Sequence, residues 1–423
     1  MAQQGTESFQ QGVELFSRRQ YAEAAACLGQ AAQAGNAEAQ NLLGVMLLNG
    51  MGITQNSGGA LQLFTRAATS GLKEAHYNLA NVLYNGLGVT RDPVQAQQHL
   101  LASARAGHRP ALRCLGHLYH LAGSDDRWQE LSTLCFHLAA EGGDPLAKYA
   151  LGMRLAQGHG APVDTAAAIR WFTAAAQDRV YLASVRLAEM RAKPASTGDA
   201  PERQGGVEKL IPFTPAQLPE PRSSRGVSFL SEYDGALDPY LCDHLINVGL
   251  PSLGRSDVVD PKTGRGMRSE VRTSYSMSFV ASMYDPVVAE ILRRIAVIAG
   301  SPEENAEPLG VLRYGVGQEY RPHFDFYDDV HHTGQRLSTV FVYLNDVAEG
   351  GGTEFPRLGV RVEPARGKAV KFFNCDAAGK PNPATLHAGL PVIRGEKWLA
   401  TFWFWDRPFP WFVWAPDPES TSG

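Results

Sequence analysis

Residues 75–106 of the chain, AHYNLANVLYNGLGVTRDPVQAQQHLLASARA, decide the fold of its N-terminal half. Ala75, Leu79 and Val82 follow one another at helical spacing and form a single apolar stripe. Residues 85–89 contain two glycines that break this helix, and residues 96–106 resume the helical pattern in an alanine-rich segment. The stretch therefore predicts a pair of helices joined by a tight turn.

The same pattern recurs every 36 residues between residues 31 and 188. When the units are aligned at this period, alanine, leucine and glycine each recur at an equivalent position. The alanines are Ala39, Ala75, Ala111, Ala147 and Ala183; the leucines are Leu43, Leu79, Leu115, Leu151 and Leu187; and the glycines are Gly35, Gly71, Gly107 and Gly143. One helix pair cannot bury its own apolar face, so neighbouring pairs must stack on one another. The period predicts an all-α helical-repeat solenoid over residues 1–192.

At these positions the chain resembles the Sel1-like repeat family, a relative of the tetratricopeptide repeats. Residues 75–106 fit the pattern A-x-x-x-L-G-x-x-Y-x-x-G-x-G-V-x-x-D of that family, and the resemblance extends over residues 10–192. The third unit lacks the paired glycines at residues 120–125, so its turn is expected to differ. The resemblance implies a scaffold that binds a protein or peptide partner; the alternative is an array that only supports or dimerises the following domain.

Composition excludes several classes of protein. The 423 residues include 39 basic and 43 acidic side chains without a basic cluster, so we expect no nucleic-acid partner. Apolar runs fall short of the roughly 18 residues of a transmembrane helix, and the first twenty residues are too polar for a signal peptide. These runs predict a protein that does not bind membranes. Five cysteines without C-x-x-C spacing predict free thiols, and hence a cytoplasmic protein.

The pattern changes after the helical repeats. Residues 193–225 contain six prolines, which predicts a linker whose apolar residues at 210–213 dock it. Strand-like runs then follow at residues 271–279, 310–314, 337–344, 369–374, 390–393 and 398–405, with helices expected at 239–248 and 284–299. Short strands after a few helices predict a β-sandwich or jelly roll, backed by helices, over residues 226–423.

A candidate metal-binding set lies in this second half. His323 and Asp325 form an H-x-D motif in a strand-like segment, where alternation places both side chains on one face. His387, 62 residues after Asp325, offers a third ligand. Two imidazoles and one carboxylate are the ligand set of non-haem Fe(II) oxygenases. Each motif is weak alone, so the assignment depends on the residues around it.

Lys397 strengthens this assignment because it opens the strand that follows His387. Alternation puts Lys397, Thr401 and Trp403 on one face of that strand. A lysine that points into a barrel is costly unless an anion meets it, and a dicarboxylate held by the metal at its other end supplies one. Thr339 and Tyr343 share a face of a neighbouring strand, so two hydroxyls are expected near the ammonium.

Five segments together resemble the prolyl 4-hydroxylase branch of the 2-oxoglutarate/Fe(II)-dependent dioxygenases. They are LDPYLCDHLI (237–246), VRTSYSMSF (271–279), VLRYGVGQEYRPHFD (311–325), LSTVFVYLNDVAEGGGTEFP (337–356) and LHAGLPVIRGEKWLATFWFW (386–405). The resemblance implies a double-stranded β-helix in which His323, Asp325 and His387 hold Fe(II). It also implies cosubstrate-binding and substrate-lining groups. The first group is Lys397 with Tyr314, Thr339 or Tyr343, and the second is Arg272, Tyr320, Arg336 and Trp403.

The implied activity is hydroxylation of prolyl residues in a protein that the repeats recruit. It requires Fe(II), 2-oxoglutarate and O2, and ascorbate is a further candidate cofactor. Two alternatives stay open: a dioxygenase that hydroxylates another side chain or a small molecule, and a protein-binding adaptor with an inactive oxygenase fold. The intact ligand set with Lys397 argues against the inactive fold, and the attached repeats favour a protein substrate.

Overall fold

The computed structural model describes residues 2–191, 205–213, 225–227, 229–256, 258–259, 266–267, 271–326, 334–376 and 380–409. The chain divides into two compact units, one built mainly on residues 1–217 and the other on residues 218–279 and 290–412. Residues 280–289 group with the first unit. Most of the linker predicted over residues 193–225 lies outside the described residues.

Eleven helices make up most of the first unit in its described part. They are α1 (Ala2–Ser17), α2 (Tyr21–Gln33), α3 (Ala37–Asn49), α4 (Ser57–Thr69), α5 (Lys73–Asn85), α6 (Pro93–Arg105), α7 (Arg109–Ala122), α8 (Asp126–Glu141), α9 (Pro145–Gln157), α10 (Thr165–Gln177) and α11 (Tyr181–Arg191). Consecutive helices pack on one another, most extensively within the pairs α1–α2, α3–α4, α5–α6, α7–α8 and α9–α10. The helical-repeat solenoid predicted from the 36-residue period is confirmed.

Capping residues set the turn inside three of these pairs. Helices α3, α5 and α9 end at glycines in the left-handed conformation, with φ of +66° at Gly50, +69° at Gly86 and +74° at Gly158. Helices α4, α6 and α10 begin at side chains that accept a backbone N–H, namely Asn56, Asp92 and Asp164. Seven residues therefore join the two helices of each pair.

The third repeat differs, as its sequence predicts. Only residues 123–125 join α7 to α8, because α7 continues to Ala122, where the other three repeats have the left-handed glycine. Asp125 stands at the N-cap of α8 but makes no side-chain capping hydrogen bond. Loss of the paired glycines thus shortens the turn without removing the helix pair.

Close packing within a pair depends on a small residue that faces a phenylalanine 20 residues later. A Cβ atom at the glycine would lie 2.6 Å from the ring for Gly44 and Phe64, 2.9 Å for Gly116 and Phe136, and 2.8 Å for Gly152 and Phe172. The second repeat has Ala80 and Leu100 in these two columns, and both are buried. In the second repeat, alanine thus replaces glycine on the first helix, and the smaller leucine replaces phenylalanine on the second helix.

Two further helices and sixteen strands follow along the described part of the chain. The helices are α12 (Pro239–Gly249) and α13 (Pro286–Ala299). The strands are β1 (Arg225–Val227), β2 (Leu230–Tyr233), β3 (Gly254–Arg255), β4 (Val258–Val259), β5 (Gly266–Met267), β6 (Tyr275–Ser278), β7 (Gly310–Tyr314), β8 (Tyr320–His323), β9 (Arg336–Tyr343), β10 (Glu349–Gly350), β11 (Thr353–Phe355), β12 (Val360–Val362), β13 (Ala369–Phe373), β14 (His387–Gly389), β15 (Val392–Arg394) and β16 (Lys397–Trp405).

Two antiparallel sheets form the jelly roll of the second unit. The larger has the strand order β1-β2-β13-β9-β16-β7-β6-β3, and the smaller has the order β12-β11-β14-β8. One apolar cluster joins them, with Leu312, Phe341 and Phe372 from the larger sheet and Phe355 and Val362 from the smaller. The predicted double-stranded β-helix is confirmed.

Predicted and observed elements differ mainly at the short strands. The run predicted at 271–279 is a strand only over Tyr275–Ser278, whereas β9 and β16 match their predicted runs to within one residue. Strands β11, β12 and β14 have no predicted counterpart, since three residues are too few to show alternation. Within the described ranges, no helix has both the length and the hydropathy needed to cross a bilayer.

Candidate active site

The three predicted metal ligands converge on one position. Strands β8 and β14 pair so that His387 lies directly opposite His323. Asp325 lies just beyond the end of β8, so strand alternation does not place it as predicted, yet its carboxylate reaches both rings. Its oxygens lie 3.7 Å from Nε2 of His323 and 3.8 Å from Nε2 of His387. The ligand atoms lie within 4.8 Å of one another, so a single metal ion can contact all three.

Backbone carbonyls fix the tautomer of both imidazoles. Nδ1 of His323 lies 2.8 Å from the carbonyl oxygen of Arg321, and Nδ1 of His387 lies 3.0 Å from that of Thr385. A carbonyl oxygen only accepts hydrogen bonds, so Nδ1 carries the proton and donates in both rings. The lone pair of each Nε2 is thereby left for a metal, which is the arrangement that metal-binding histidines require.

Electrostatics favour the protonation states that bind a cation. Burial, together with the neighbouring His387, lowers the pKa of His323, so this ring is neutral at physiological pH. Burial alone would raise the pKa of the Asp325 carboxyl. The imidazoles, Arg336 and a hydrogen bond from Thr339 outweigh it and lower that pKa. The site therefore presents an ionised carboxylate beside a neutral imidazole.

Thr339 and Asn374 hold the Asp325 carboxylate in place. The Thr339 hydroxyl donates to Oδ2 of Asp325 over 2.8 Å, and the Asn374 amide donates to the Thr339 oxygen over 2.9 Å. Both side chains are buried. Thr339 thus contacts the Asp325 carboxylate, whereas its predicted role is binding of the cosubstrate. Asn374 is not predicted at all, and its only sequence signal is a polar residue directly after the apolar strand β13.

Lys397 is buried in the cavity that the metal ligands line. It is 2% exposed, and it pairs with Tyr314 across β16 and β7. Its Nζ lies 5.2 Å from the ring centroids of both Tyr314 and Tyr343. Burial lowers its pKa to about 7, and in the described part of the chain no carboxylate lies within ion-pair distance of Nζ. Leu399 and Trp403 line the same cavity, as strand alternation predicts.

The two tyrosines beside Lys397 present their rings to its ammonium group. The Tyr343 hydroxyl lies 2.7 Å from Oγ1 of Thr353 and 3.3 Å from the carbonyl oxygen of Val362. Burial raises the pKa of Tyr343 and of Tyr314, so both hydroxyls stay protonated. The site therefore contains one titratable cation between two neutral aromatic rings.

The four predicted substrate-lining residues form two cation–aromatic pairs. The Tyr320 ring stacks on the His323 ring with centroids 3.5 Å apart, and the Arg272 guanidinium lies 5.1 Å from the Tyr320 centroid. The Arg336 guanidinium lies 4.2 Å from the centroid of Trp403. Arg272, Tyr320 and Trp403 line the cavity, whereas Arg336 contacts it only through Trp403. Each arginine thus packs against an aromatic ring.

Glu307 positions the second of these pairs and is not predicted from the sequence. Its carboxylate accepts hydrogen bonds from Nε and Nη2 of Arg336, the latter over 2.7 Å. It also accepts one from the indole nitrogen of Trp405 over 2.6 Å. Glu307 lies in an irregular segment before β7, where no local pattern marks it. Because this carboxylate is buried, it fixes the guanidinium that packs on Trp403.

Two family models match the chain. The model described as the 2OG-Fe(II) oxygenase superfamily matches residues 309–405. The Sel1 repeat model matches residues 7–36, 37–72, 73–108 and 145–178. The Sel1 matches do not include residues 109–144, which contain the repeat with the shortened turn. The oxygenase match includes all three predicted metal ligands and Lys397.

Curated relatives match the second unit. "Probable prolyl 4-hydroxylase 4" of Arabidopsis thaliana is 38% identical over 195 residues, which cover 40% of this chain and 65% of that protein. "Probable prolyl 4-hydroxylase 6" of the same plant is 39% identical over 199 residues, which cover 42% of this chain and 69% of that protein. The chain belongs to the prolyl 4-hydroxylase family.

The family likeness covers part of each protein. This prolyl 4-hydroxylase family member spans about 65% of the length of the first of these relatives. Among solved structures, the viral collagen prolyl hydroxylase of Paramecium Bursaria Chlorella virus-1, in its 2OG complex, is 30% identical. That alignment covers 42% of this chain and 96% of the viral chain, with a TM-score of 0.36.

Proposed function

We propose that the second unit is a 2-oxoglutarate- and Fe(II)-dependent dioxygenase that hydroxylates prolyl residues of a protein. The observation that supports this most is the pairing of a His-Asp-His cluster with a buried ammonium in one cavity. A dicarboxylate that binds a metal at one end presents its other carboxylate to such a lysine. The substrate class rests on the family, whose curated members are named for prolyl hydroxylation.

The donor set fits Fe(II). Two imidazole nitrogens and one carboxylate oxygen suit a ferrous ion and leave several coordination positions open. We assign the metal to His323, Asp325 and His387, and we assign Thr339 with Asn374 to fixing the Asp325 carboxylate. When bound, the ion with 2-oxoglutarate and O2 supplies the oxidising chemistry of the reaction.

The remaining site residues are proposed to bind and orient the two organic ligands. Lys397 binds the distal carboxylate of 2-oxoglutarate, and the rings of Tyr314 and Tyr343 exclude water from that ion pair. Arg272, Tyr320, Arg336 and Trp403 line the substrate side, where aromatic faces suit an apolar prolyl ring. Tyr320 also covers one face of His323 and so restricts the ring rotation of this ligand.

Several further assignments accompany this proposal. We divide the chain into helical repeats at 1–192, a linker at 193–225 and the dioxygenase domain at 226–423, and we assign partner binding to the repeats. All five cysteines are free thiols, which supports a cytoplasmic location. Ascorbate as a reductant remains a prediction from the family resemblance.

The test is turnover by the full-length protein with Fe(II), 2-oxoglutarate and a proline-containing peptide. Succinate release and a 16-Da mass gain on proline, located by tandem mass spectrometry, are the expected results. Each of the variants His323→Ala, Asp325→Ala and His387→Ala is expected to lower turnover by more than about 100-fold. This exceeds the roughly 10- to 100-fold loss that is usual when a residue that only orients a metal ligand is removed. Thr339→Val is expected to weaken metal binding by about 10- to 100-fold.

Glu354→Gln is the matched control, because this carboxylate lies on β11 but does not line the cavity. Turnover by Asp325→Ala within tenfold of wild type would contradict the ligand assignment. Oxidation of a side chain other than proline would keep the dioxygenase and overturn the prolyl assignment. Absence of succinate in every condition would overturn both.

A further inference from the structure

Residues 205–213 lie against the helical repeats. Residues 207–209 form one 3-10 turn, and Leu210 follows with φ of −69° and ψ of 126°, close to polyproline II geometry. Leu210 and Phe213 are buried, whereas Ile211 is half-buried and Pro212 is exposed. The segment after the 3-10 turn therefore presents two apolar side chains, three residues apart, to the repeats.

The repeats hydrogen-bond to the main chain of this segment. The bonds join Gln97 to the N–H and C=O of Phe213 (3.3 and 2.6 Å), Arg105 to the C=O of Leu210 (2.8 Å), and Tyr119 to the N–H and C=O of Ile211 (3.1 and 2.6 Å). Main-chain groups are common to all sequences. These three side chains thus recognise an extended backbone, and the two buried apolar residues supply the selectivity.

A cavity lies beside the middle of the segment. It has a volume of about 970 Å³ and lies along helices α8 and α10, with Glu208, Lys209 and Ile211 in its wall. Leu131, Leu134 and Trp171 give it apolar surface. Since Glu208 and Lys209 line the cavity along α8 and α10 whereas Phe213 contacts α6, the segment runs from later to earlier repeats. A longer partner segment in the same direction would extend along the cavity with its N-terminal residues.

We propose that this groove is a binding site for an extended segment of a partner protein, which rests on the assignment of partner binding to the repeats, and that residues 205–213 are a tethered competitor at one end of it. Residues 205–213 show which features the partner segment needs. Its backbone must hydrogen-bond to Gln97 and Tyr119, and it must carry apolar side chains three residues apart. The cavity beside Trp171 takes a further apolar residue of the partner. The partner must displace a segment whose tether gives it an effective concentration of the order of millimolar.

The test uses the full chain and a labelled synthetic peptide of residues 205–213, GGVEKLIPF, followed by fluorescence anisotropy. Phe213→Asp removes one buried anchor of the tethered segment and is expected to bind the peptide at least tenfold more tightly than wild type. Pro212→Ala is the control, because Pro212 is exposed and both anchors remain. Should Phe213→Asp fail to fold, Leu210→Asp removes the other buried anchor of the tethered segment and tests the same release without changing the groove.

Substitutions at Tyr119 and Trp171 locate the peptide in the released protein. Tyr119→Phe keeps the ring but loses both bonds to the peptide backbone, and a fivefold or greater loss of affinity is expected. A peptide extended at its N-terminus by Leu-Ala-Pro-Leu should bind about tenfold more tightly, and Trp171→Ala should abolish that gain while Trp171→Phe keeps it. Equal binding by wild type and Phe213→Asp would overturn the tethered competitor. Absence of binding in both, or no effect of Tyr119→Phe, would overturn the groove as the site.

Discussion

Lys397 has lost most of its hydration, and its charge is stabilised mainly by the two tyrosine rings. Burial alone lowers its pKa to about 7, so roughly half of the free molecules have a neutral lysine at that pH. A bound carboxylate stabilises the charged form and raises the pKa. Binding of an anion above pH 7 therefore requires uptake of a proton.

We expect the affinity for 2-oxoglutarate to fall as the pH rises through 7. Below pH 7 the free lysine is already charged, so affinity is constant. Above it each pH unit weakens binding by up to tenfold, which makes binding at pH 8 about tenfold weaker than at pH 6. Anaerobic calorimetry with Mn(II) measures the affinity, and buffers of different ionisation enthalpy measure the proton uptake.

Lys397→Arg is the matched control, because a guanidinium stays charged throughout this range. Its binding should be weaker than that of wild type but independent of pH. Lys397→Ala should weaken binding by about 10- to 150-fold, on the roughly 1.5–3 kcal/mol of a charge-assisted hydrogen bond. The same pH slope in Lys397→Arg as in wild type would assign the titration to another group.

The residues proposed to bind the metal and the cosubstrate could be predicted from the sequence, whereas those that support them could not. His323, Asp325, His387 and Lys397 occur at family spacings along the chain. Asn374 acts through Thr339, 35 residues away, and Glu307 acts through Arg336, 29 residues away. A contact between residues so far apart leaves no periodic signal in the sequence.

The length of a strand decides whether it can be predicted from the sequence. Strands β9 and β16, of eight and nine residues, alternate long enough to be recognised. Strand β14 has three residues and exists because β8 and β11 pair with it on either side. The helices follow from their 36-residue period, and even the irregular third turn could be predicted, because its glycines are missing.

Gly152→Ala is expected to destabilise the repeats. The added methyl group would lie 2.8 Å from the Phe172 ring, and overpacking of this kind costs about 1–3 kcal/mol. Adding Phe172→Leu to this variant should restore part of the lost stability. The resulting alanine–leucine combination is the one that the second repeat has at Ala80 and Leu100. Urea unfolding of the two single variants, the double variant and wild type gives the coupling free energy between the two sites.

Gly29→Ala controls for the helix propensity of alanine. Gly29 lies within α2 with no atom within 4 Å of its potential Cβ, so the change should stabilise the protein by up to about 1 kcal/mol. A coupling free energy near zero for Gly152 and Phe172 would show that the repeat accommodates the methyl group by moving apart.

For the whole molecule, the change of pattern near residue 193 predicts two kinds of structure, and each unit indeed has its own apolar core. Leu28 and Met46 belong to a core of the repeats, and Phe341 and Phe372 belong to that of the jelly roll. Docking at Leu210 and Phe213 was foreseeable from their apolar character in a polar linker. Their hydrogen-bond partners on α6 and α7 were not, because no pattern connects the two segments.

Two thermal transitions are expected for the full chain, and ligands should shift only one of them. Mn(II) with 2-oxoglutarate at about 100 times its dissociation constant stabilises the unit that binds it by about 2.7 kcal/mol. For a unit of this size that corresponds to a rise of about 5–10 °C in Tm, measured by differential scanning calorimetry. His323→Ala should remove the shift. A single transition that moves as a whole would show that the units unfold together.

The glycine–phenylalanine pairs bear on how such an array can grow. Both members of a pair lie 20 residues apart inside one 36-residue unit, so a duplication that copies a whole unit also copies a matched pair. A breakpoint between the two helices that recombines the second unit with another would instead join glycine to Leu100, leaving a void, or Ala80 to a phenylalanine, producing a clash. Viable breakpoints that involve this unit therefore fall between units, and the Ala80–Leu100 unit is one in which both members changed together.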